Sequence, residues 1–260
     1  MSNVALREER DGVIAVTFNR PEKLNAVNWE MLRVLRQAID DLRDRDDLRV
    51  MLIRASGRYF TSGVDLKDGP LTDKQKIGDT MIEARRGYRI PLHNLFDEFE
   101  AVEKPIVMAV QGPCLGMGVE MGGACDIRVA AESARFGLPE IGIGVVAGSG
   151  GTSRLARLCG VSWGKWLGMG EQIDAQTAKA AGFIQAVWSD DTFEAETWAL
   201  CQRLVDRPAE VLGAVKLAVE LCYDLDRQQG RHIERIVNTP FIMRDNSDLV
   251  AKVLAKNKRK

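Results

Sequence analysis

Two short, wholly apolar runs constrain this chain most: Val50-Met51-Leu52-Ile53 and, behind Pro105, Ile106-Val107-Met108-Ala109-Val110. Each has the length of a strand, and a strand without polar alternation is one covered on both faces. Val13-Ile14-Ala15-Val16-Thr17-Phe18 is a further strand, rich in branched residues and stopped by Asn19-Arg20-Pro21. Trp29, Leu32, Leu35, Ile39 and Leu42 recur at three- and four-residue intervals after Asn28, which predicts an amphipathic helix with Asn28 as its N-cap. The unit is therefore strand, helix, strand. It recurs loosely with Ile106–Val110, a glycine loop, a helical stretch at 119–124 and the strand Ile127-Arg128-Val129-Ala130. The interval 68–104 is charged, and Leu92, Leu95, Phe96, Phe99 and Val102 predict a helix leading to Lys104-Pro105. Beyond Gly150 the pattern is mostly helical, at 154–158, 163–169, 175–181, 192–205 and 208–221, with one strand at 183–187. The expected fold class is α/β, with a core over 1–190 and a helical C-terminal region over 191–260.

Charge narrows the partners. Thirty-six Lys and Arg against 37 Asp and Glu leave a net charge of −1, so no global field draws nucleic acid or an anionic membrane. No run of about 18 apolar residues occurs, and the first ten residues lack a charged head before an apolar stretch, so a cytoplasmic location is expected. Five cysteines without a C-x-x-C pair point to reduced thiols, and His93 with His232 is too sparse a set for a zinc site, so no metal is expected.

The glycine loops are candidates for function. Gly112 to Gly122 superficially resembles a dinucleotide fingerprint, but after Gly116-x-Gly118 the next glycine falls one place late and no acidic strand end follows at the right distance. Glycines serving only tight turns remain an open reading. Ala147-Gly148-Ser149-Gly150-Gly151 resembles a degenerate nucleophile elbow, with Asp190 or Asp224 and His232 following in the order of a hydrolase triad. A serine hydrolase using Ser149 is thus one alternative. Glu120 and Glu140 are a better clue. Both lie in glycine-rich, apolar surroundings, where environment can raise a carboxyl toward neutrality for acid–base work, although a surface role is the common fate of Glu.

Four segments together carry a resemblance over nearly the whole chain. They are Asn19-Arg20-Pro21-Glu22-Lys23-Leu24-Asn25-Ala26, Phe60-Thr61-Ser62-Gly63-Val64-Asp65-Leu66-Lys67, the block from Lys104-Pro105 through Gly116-Met117-Gly118-Val119-Glu120 to Cys125-Asp126-Ile127, and Phe136-Gly137-Leu138-Pro139-Glu140 through Gly148-Ser149-Gly150-Gly151-Thr152-Ser153-Arg154-Leu155. In this order and spacing the sequence resembles the enoyl-CoA hydratase/isomerase, or crotonase, superfamily. The resemblance implies a ClpP-like spiral of repeated ββα units, with C-terminal helices that build trimers or hexamers and cover the site. It implies hydration of a trans-2-enoyl-CoA, with coenzyme A part of the substrate and no separate cofactor. The backbone N–H groups of Val64 and Met117 would form the oxyanion hole and Glu120 and Glu140 would be catalytic. Lys23, Leu24, Ser62, Asp65, Leu66, Lys67, Gly116 and Gly148 would bind substrate or its CoA.

The sequence also departs from the family. Leu138 stands where hydratases often carry Gln, Val253-Leu254-Ala255-Lys256 replaces a Phe-x-Glu-Lys, and the 65–105 interval is long, nearer to dienoyl-CoA isomerases. Those isomerases carry an acidic residue eight places beyond the second glutamate, where this chain has Gly148. Isomerisation of an enoyl- or dienoyl-CoA on the same scaffold is the other alternative.

Overall fold

A computed structural model describes residues 4–69 and 91–257. Its main sheet has six strands in the order β1-β2-β3-β4-β6-β9: β1 Ala5–Arg10, β2 Val13–Phe18, β3 Val50–Ala55, β4 Ile106–Val110, β6 Ile127–Ala131 and β9 Ala186–Trp188. Only the β1–β2 hairpin is antiparallel; thereafter Val13 pairs with Val50, Met51 with Ile106, Val107 with Ile127 and Val129 with Ala186, all parallel. The apolar runs are sandwiched as their composition requires. Ile14, Val16, Phe18, Met51, Ile53, Met108 and Val110 face one buried cluster, while Val13, Ala15, Val50, Leu52, Val107 and Ala109 face another. Each Val, Leu, Ile, Met or Phe among them, fully removed from water, contributes about 1.5–3 kcal/mol.

Helix α1, Trp29–Asp44, covers the first face through Met31, Leu35, Ile39 and Leu42, and the Asn28 side chain accepts a hydrogen bond from the Met31 N–H as the predicted cap. Helix α2, Pro91–Ala101, lies against it through Leu92, Leu95, Phe96 and Phe99, and residues 70–90 of the charged interval lie outside the described residues. A small second sheet joins β5 Pro113–Leu115, β7 Arg135–Gly137 and β8 Gln172–Asp174. The repeat is now visible: β4, β5 and helix α3 (Met117–Ala124), then β6, β7 and helix α4 (Ser153–Gly168), each placing its first strand in the large sheet and its second in the small one. The parallel bridge between Thr61 and Cys114 extends the small sheet one repeat further back.

Three local expectations differ. Charged β1 carries no apolar strand pattern because it is an edge strand exposing five of its six residues, and its charges keep the edge from pairing further. The strand expected at 183–187 begins only at Ala186, because Phe183 turns inward to meet Phe136 edge-on at 5.3 Å. Helix α4 joins the two expected stretches, 154–158 and 163–169, with a break at Gly160 and Met169 as its C-cap.

Helix α5, Ala175–Ala180, and helix α6, Phe193–Val205, complete the first of two compact units, which divide after Ala209. α6 closes the second face of the sheet with Phe193 and Cys201, together with Trp198 and Leu204. The second unit carries helices α7 Ala209–Tyr223, from its second residue on, α8 Arg227–Ile242 and α9 Ser247–Asn257. α8 opens on a capping box in which the Asp226 side chain accepts from the Gln229 N–H. Among the described residues no helix is long and apolar enough to cross a membrane.

Candidate active site

Gly116 starts the site. Its φ of +56° is open to glycine at little cost, and it turns the chain from β5 into α3, so the Met117 N–H becomes one of the helix's orphan donors. Beside it runs the 60–69 loop. Val27 donates to Gly63 O at 2.8 Å and accepts from the Asp65 N–H at 2.9 Å, a parallel bridge that turns the N–H of the intervening Val64 away from Val27. A Cβ on Gly63 would lie 3.9 Å from the Met117 nitrogen, so the two segments meet at their glycines. A Cβ on Gly116 would lie 2.8 Å from Glu140 Oε1, which fixes where that carboxyl sits.

Glu140 stands in the 3-10 turn Pro139–Ile143, anchored by buried Phe136 and Leu138, and its Oε2 is buried without a hydrogen-bond partner. Burial raises its pKa. Glu120 lies one turn into α3 and is 5% exposed. Its Oε1 accepts the Ser149 N–H at 2.6 Å and the Gly151 N–H at 3.4 Å. Burial is the main force pushing its pKa up to about 7, and the nearby Glu140 carboxylate adds to it; the two backbone donors and Arg154 pull the other way. Two carboxyls whose neutral forms are favoured thus lie near one another, Glu140 against Gly116 and Glu120 against Gly151, an arrangement suited to giving and taking protons near neutral pH.

A polar frame holds the loops. Buried Asn25 donates to Ser56 O and Tyr59 O, both at 2.8 Å, and accepts the Arg20 N–H at 2.7 Å. Thr61 Oγ1 donates to Asn25 O at 2.7 Å and accepts the Gly63 N–H at 3.1 Å. Arg20 pairs with Asp65 at 3.0 Å, and Asp65 accepts the N–H groups of Lys67 and Asp68, which with Arg20 hold its carboxyl below the usual range. Ser62 donates its N–H to Leu24 O at 3.0 Å, so the 19–26 and 60–67 segments are one construction. Lys23, Leu66 and Lys67 are exposed, Leu24 is half-buried, and exposed Gly148 adjoins the Ser149 that binds Glu120. Asn25 and Thr61 carry no recognisable sequence signal for this work, because each acts through backbone partners.

The nucleophile elbow is not formed. No strand leads directly into Ser149, whose N–H is spent on Glu120, and Asp190 accepts from the Ser133 N–H and Oγ at 3.1 and 2.9 Å. His232 and Asp224 belong to the second unit. Among the described residues no cluster of three or more His, Cys, Asp or Glu could hold a metal ion.

The profile of the enoyl-CoA hydratase/isomerase family matches residues 8–256. The chain belongs to that family. Relatives include the 2,3-dehydroadipyl-CoA hydratase of Escherichia coli K12, 33% identical over 89% of this chain and 87% of that protein. The short-chain-enoyl-CoA hydratase of Clostridium acetobutylicum is 38% identical over 72% of this chain and 69% of its own. A solved enoyl-CoA hydratase subunit from Geobacillus kaustophilus superposes with a TM-score of 0.85 at 28% identity, covering 97% of this chain and 95% of that one. The ββα repeat of this family member is accordingly the crotonase fold.

Proposed function

We propose that this chain adds water reversibly to a trans-2-enoyl-CoA thioester, giving the 3-hydroxyacyl-CoA. The observation that carries the reading is the pair Glu120 and Glu140, both favoured in their neutral forms by burial and close enough for the Glu140 charge to act on Glu120, with Glu140 against Gly116 and Glu120 against Gly151. The thioester oxygen lies between the N–H groups of Val64 and Met117, which stabilise the enolate as negative charge develops. Losing one such donor costs about 3–4 kcal/mol of transition-state stabilisation. Backbone donors leave the side chain free to vary, so a Val and a Met serve here. Glu120 draws a proton from the water whose oxygen bonds the β carbon. Glu140 delivers the proton that bonds the α carbon, the water's second hydrogen remains on the new hydroxyl, and the proton held by Glu120 then passes to Glu140 to restore the starting state. No cofactor beyond the substrate's own CoA takes part. Lys23 and Lys67 lie along the CoA phosphates, with Leu24, Ser62, Asp65, Leu66, Gly116 and Gly148 lining the rest. A reducing cytosolic setting suits the five free thiols.

The test is the loss of conjugated enoyl absorbance when purified protein is mixed with a panel of enoyl-CoA thioesters. Consumption of crotonyl-CoA supports the reading. Turnover of dienoyl substrates alone assigns isomerisation instead, a reaction for which Gly148 offers no side chain to relay a proton at the far carbon. Covalent labelling of Ser149 by a fluorophosphonate, with no thioester consumed, overturns both.

A further inference from the structure

Arg154 stands at the start of α4, yet its guanidinium is spent elsewhere. Nε and Nη2 grip Glu100 of α2 at 2.6 and 2.7 Å, Nη2 also reaches Asp97 at 2.7 Å, and Nη1 donates to Ser149 O at 3.3 Å. The side chain is 14% exposed. Its berth is cut to shape: a Cβ on Gly150 would lie 2.5 Å from Nη1, and one on Gly123 of α3 would lie 3.1 Å from the arginine's own Cβ. Ser149 is therefore held on two sides, its carbonyl by Arg154 and its N–H by the Glu120 carboxylate.

Resting on the hydratase reading, we infer that Arg154 is the positioning residue of this site, aiming Glu120 through the Ser149-Gly150-Gly151 loop and balancing its charge from behind. Two independent effects converge. The planar fork ties α2 to the loop in a geometry that Lys, a point charge, does not reproduce. Its positive charge favours ionised Glu120 against burial and against Glu140, while Glu100 and Asp97 neutralise part of that charge. The charged and titratable groups facing Arg154 are Glu100, Asp97 and His93 of α2 and Glu120 of α3; those facing Glu120 are Glu140 and Arg154.

The experiment follows the Glu120 carboxyl by carbon NMR in the full chain labelled at glutamate, its signal assigned by its loss in Glu120→Gln. Arg154→Met should move the titration upward by about half a pH unit or more, since an opposite charge is removed. Glu100→Gln should move it downward, since the arginine's charge is then less neutralised. Arg154→Lys should restore the titration toward wild type. With crotonyl-CoA, Arg154→Met and Arg154→Lys should each lower kcat by roughly ten- to a hundredfold with KM little changed, the cost of a misaimed group. A merely structural arginine would lower melting and kcat in these variants while leaving the Glu120 titration unmoved, and that result overturns the inference. Should Arg154→Met fail to fold, the direction of the Glu100→Gln shift decides. The titration needs no turnover, so a wild type that hydrates nothing sinks the hydratase reading while the opposed shifts still support the positioning role.

Discussion

Ionising Glu120 puts a charge on a residue that is only 5% exposed, and this single carboxyl ties stability to pH. Its ordinary value of 4.5 becomes about 7 in the fold, so between those values the folded state holds the proton more tightly than the unfolded one. The contribution is full below pH 4.5 and is lost as pH rises through 7, by roughly 3 kcal/mol at the most. Glu120→Gln does not titrate, so its melting temperature relative to wild type should climb between pH 4.5 and 7.5; a constant difference would contradict the burial argument. The same residue as a base requires the hydration rate to fall below about pH 7. With Glu140 it acts on one water, so Glu120→Gln, Glu140→Gln and the double variant should each lose about 10²–10⁴-fold in kcat and end at similar levels while still binding substrate. Near-full hydration by Glu140→Gln would remove that residue from the mechanism. That both glutamates matter was readable from their apolar, glycine-rich neighbourhoods. That Glu120 is held by Ser149 and Gly151 was not, since a backbone N–H is the same group in every residue but proline.

Helix α3 is only eight residues long and buries seven of them, so its position rests on close packing rather than on helix propensity. Gly118 is the tightest contact: a Cβ there would meet Thr61 and lie 2.8 Å from Cys114 Sγ, both buried. Gly118→Ala should cost about 1–3 kcal/mol by overpacking. For a chain of this size that is a fall of roughly 2–12 °C in melting temperature. Because α3 carries Met117 and Glu120, activity should fall about tenfold further than the melting loss accounts for. Gly142→Ala, with nothing near its added Cβ, is the control, and equal behaviour of the two variants would refute the packing account. Elements that depend on consecutive residues were legible: β2, β4 and α1 match the periodic reading, and Asn28 caps where expected. The three-residue strands β5, β7 and β8 were not, because a strand that short has no period and exists only through partners far along the chain.

At the scale of the molecule, the second unit displays more apolar surface than solvent tolerates without reason. Val211, Val215, Val219 and Tyr223 of α7 recur at four-residue spacing and are 36%, 54%, 65% and 60% exposed. Trp198 and Leu204 of α6, by contrast, pack against the main sheet. We propose that the α7 stripe is buried between copies in a trimer or a pair of trimers. Light scattering at micromolar concentration should find a multiple of three, and Val215→Glu with Val219→Glu should shift it toward monomer; a monomeric wild type would end the proposal. By itself the sequence determined what is local or ordered along the chain: strands covered on both faces, an amphipathic helix with its cap, two glutamates in apolar loops, and four motifs in family order. Only the tertiary structure decided which atoms meet. A carboxyl takes its pKa from burial and neighbouring charge, and here those come from segments 20 to 34 residues away from Glu120, such as Glu140 and Arg154, which no local pattern in the chain specifies.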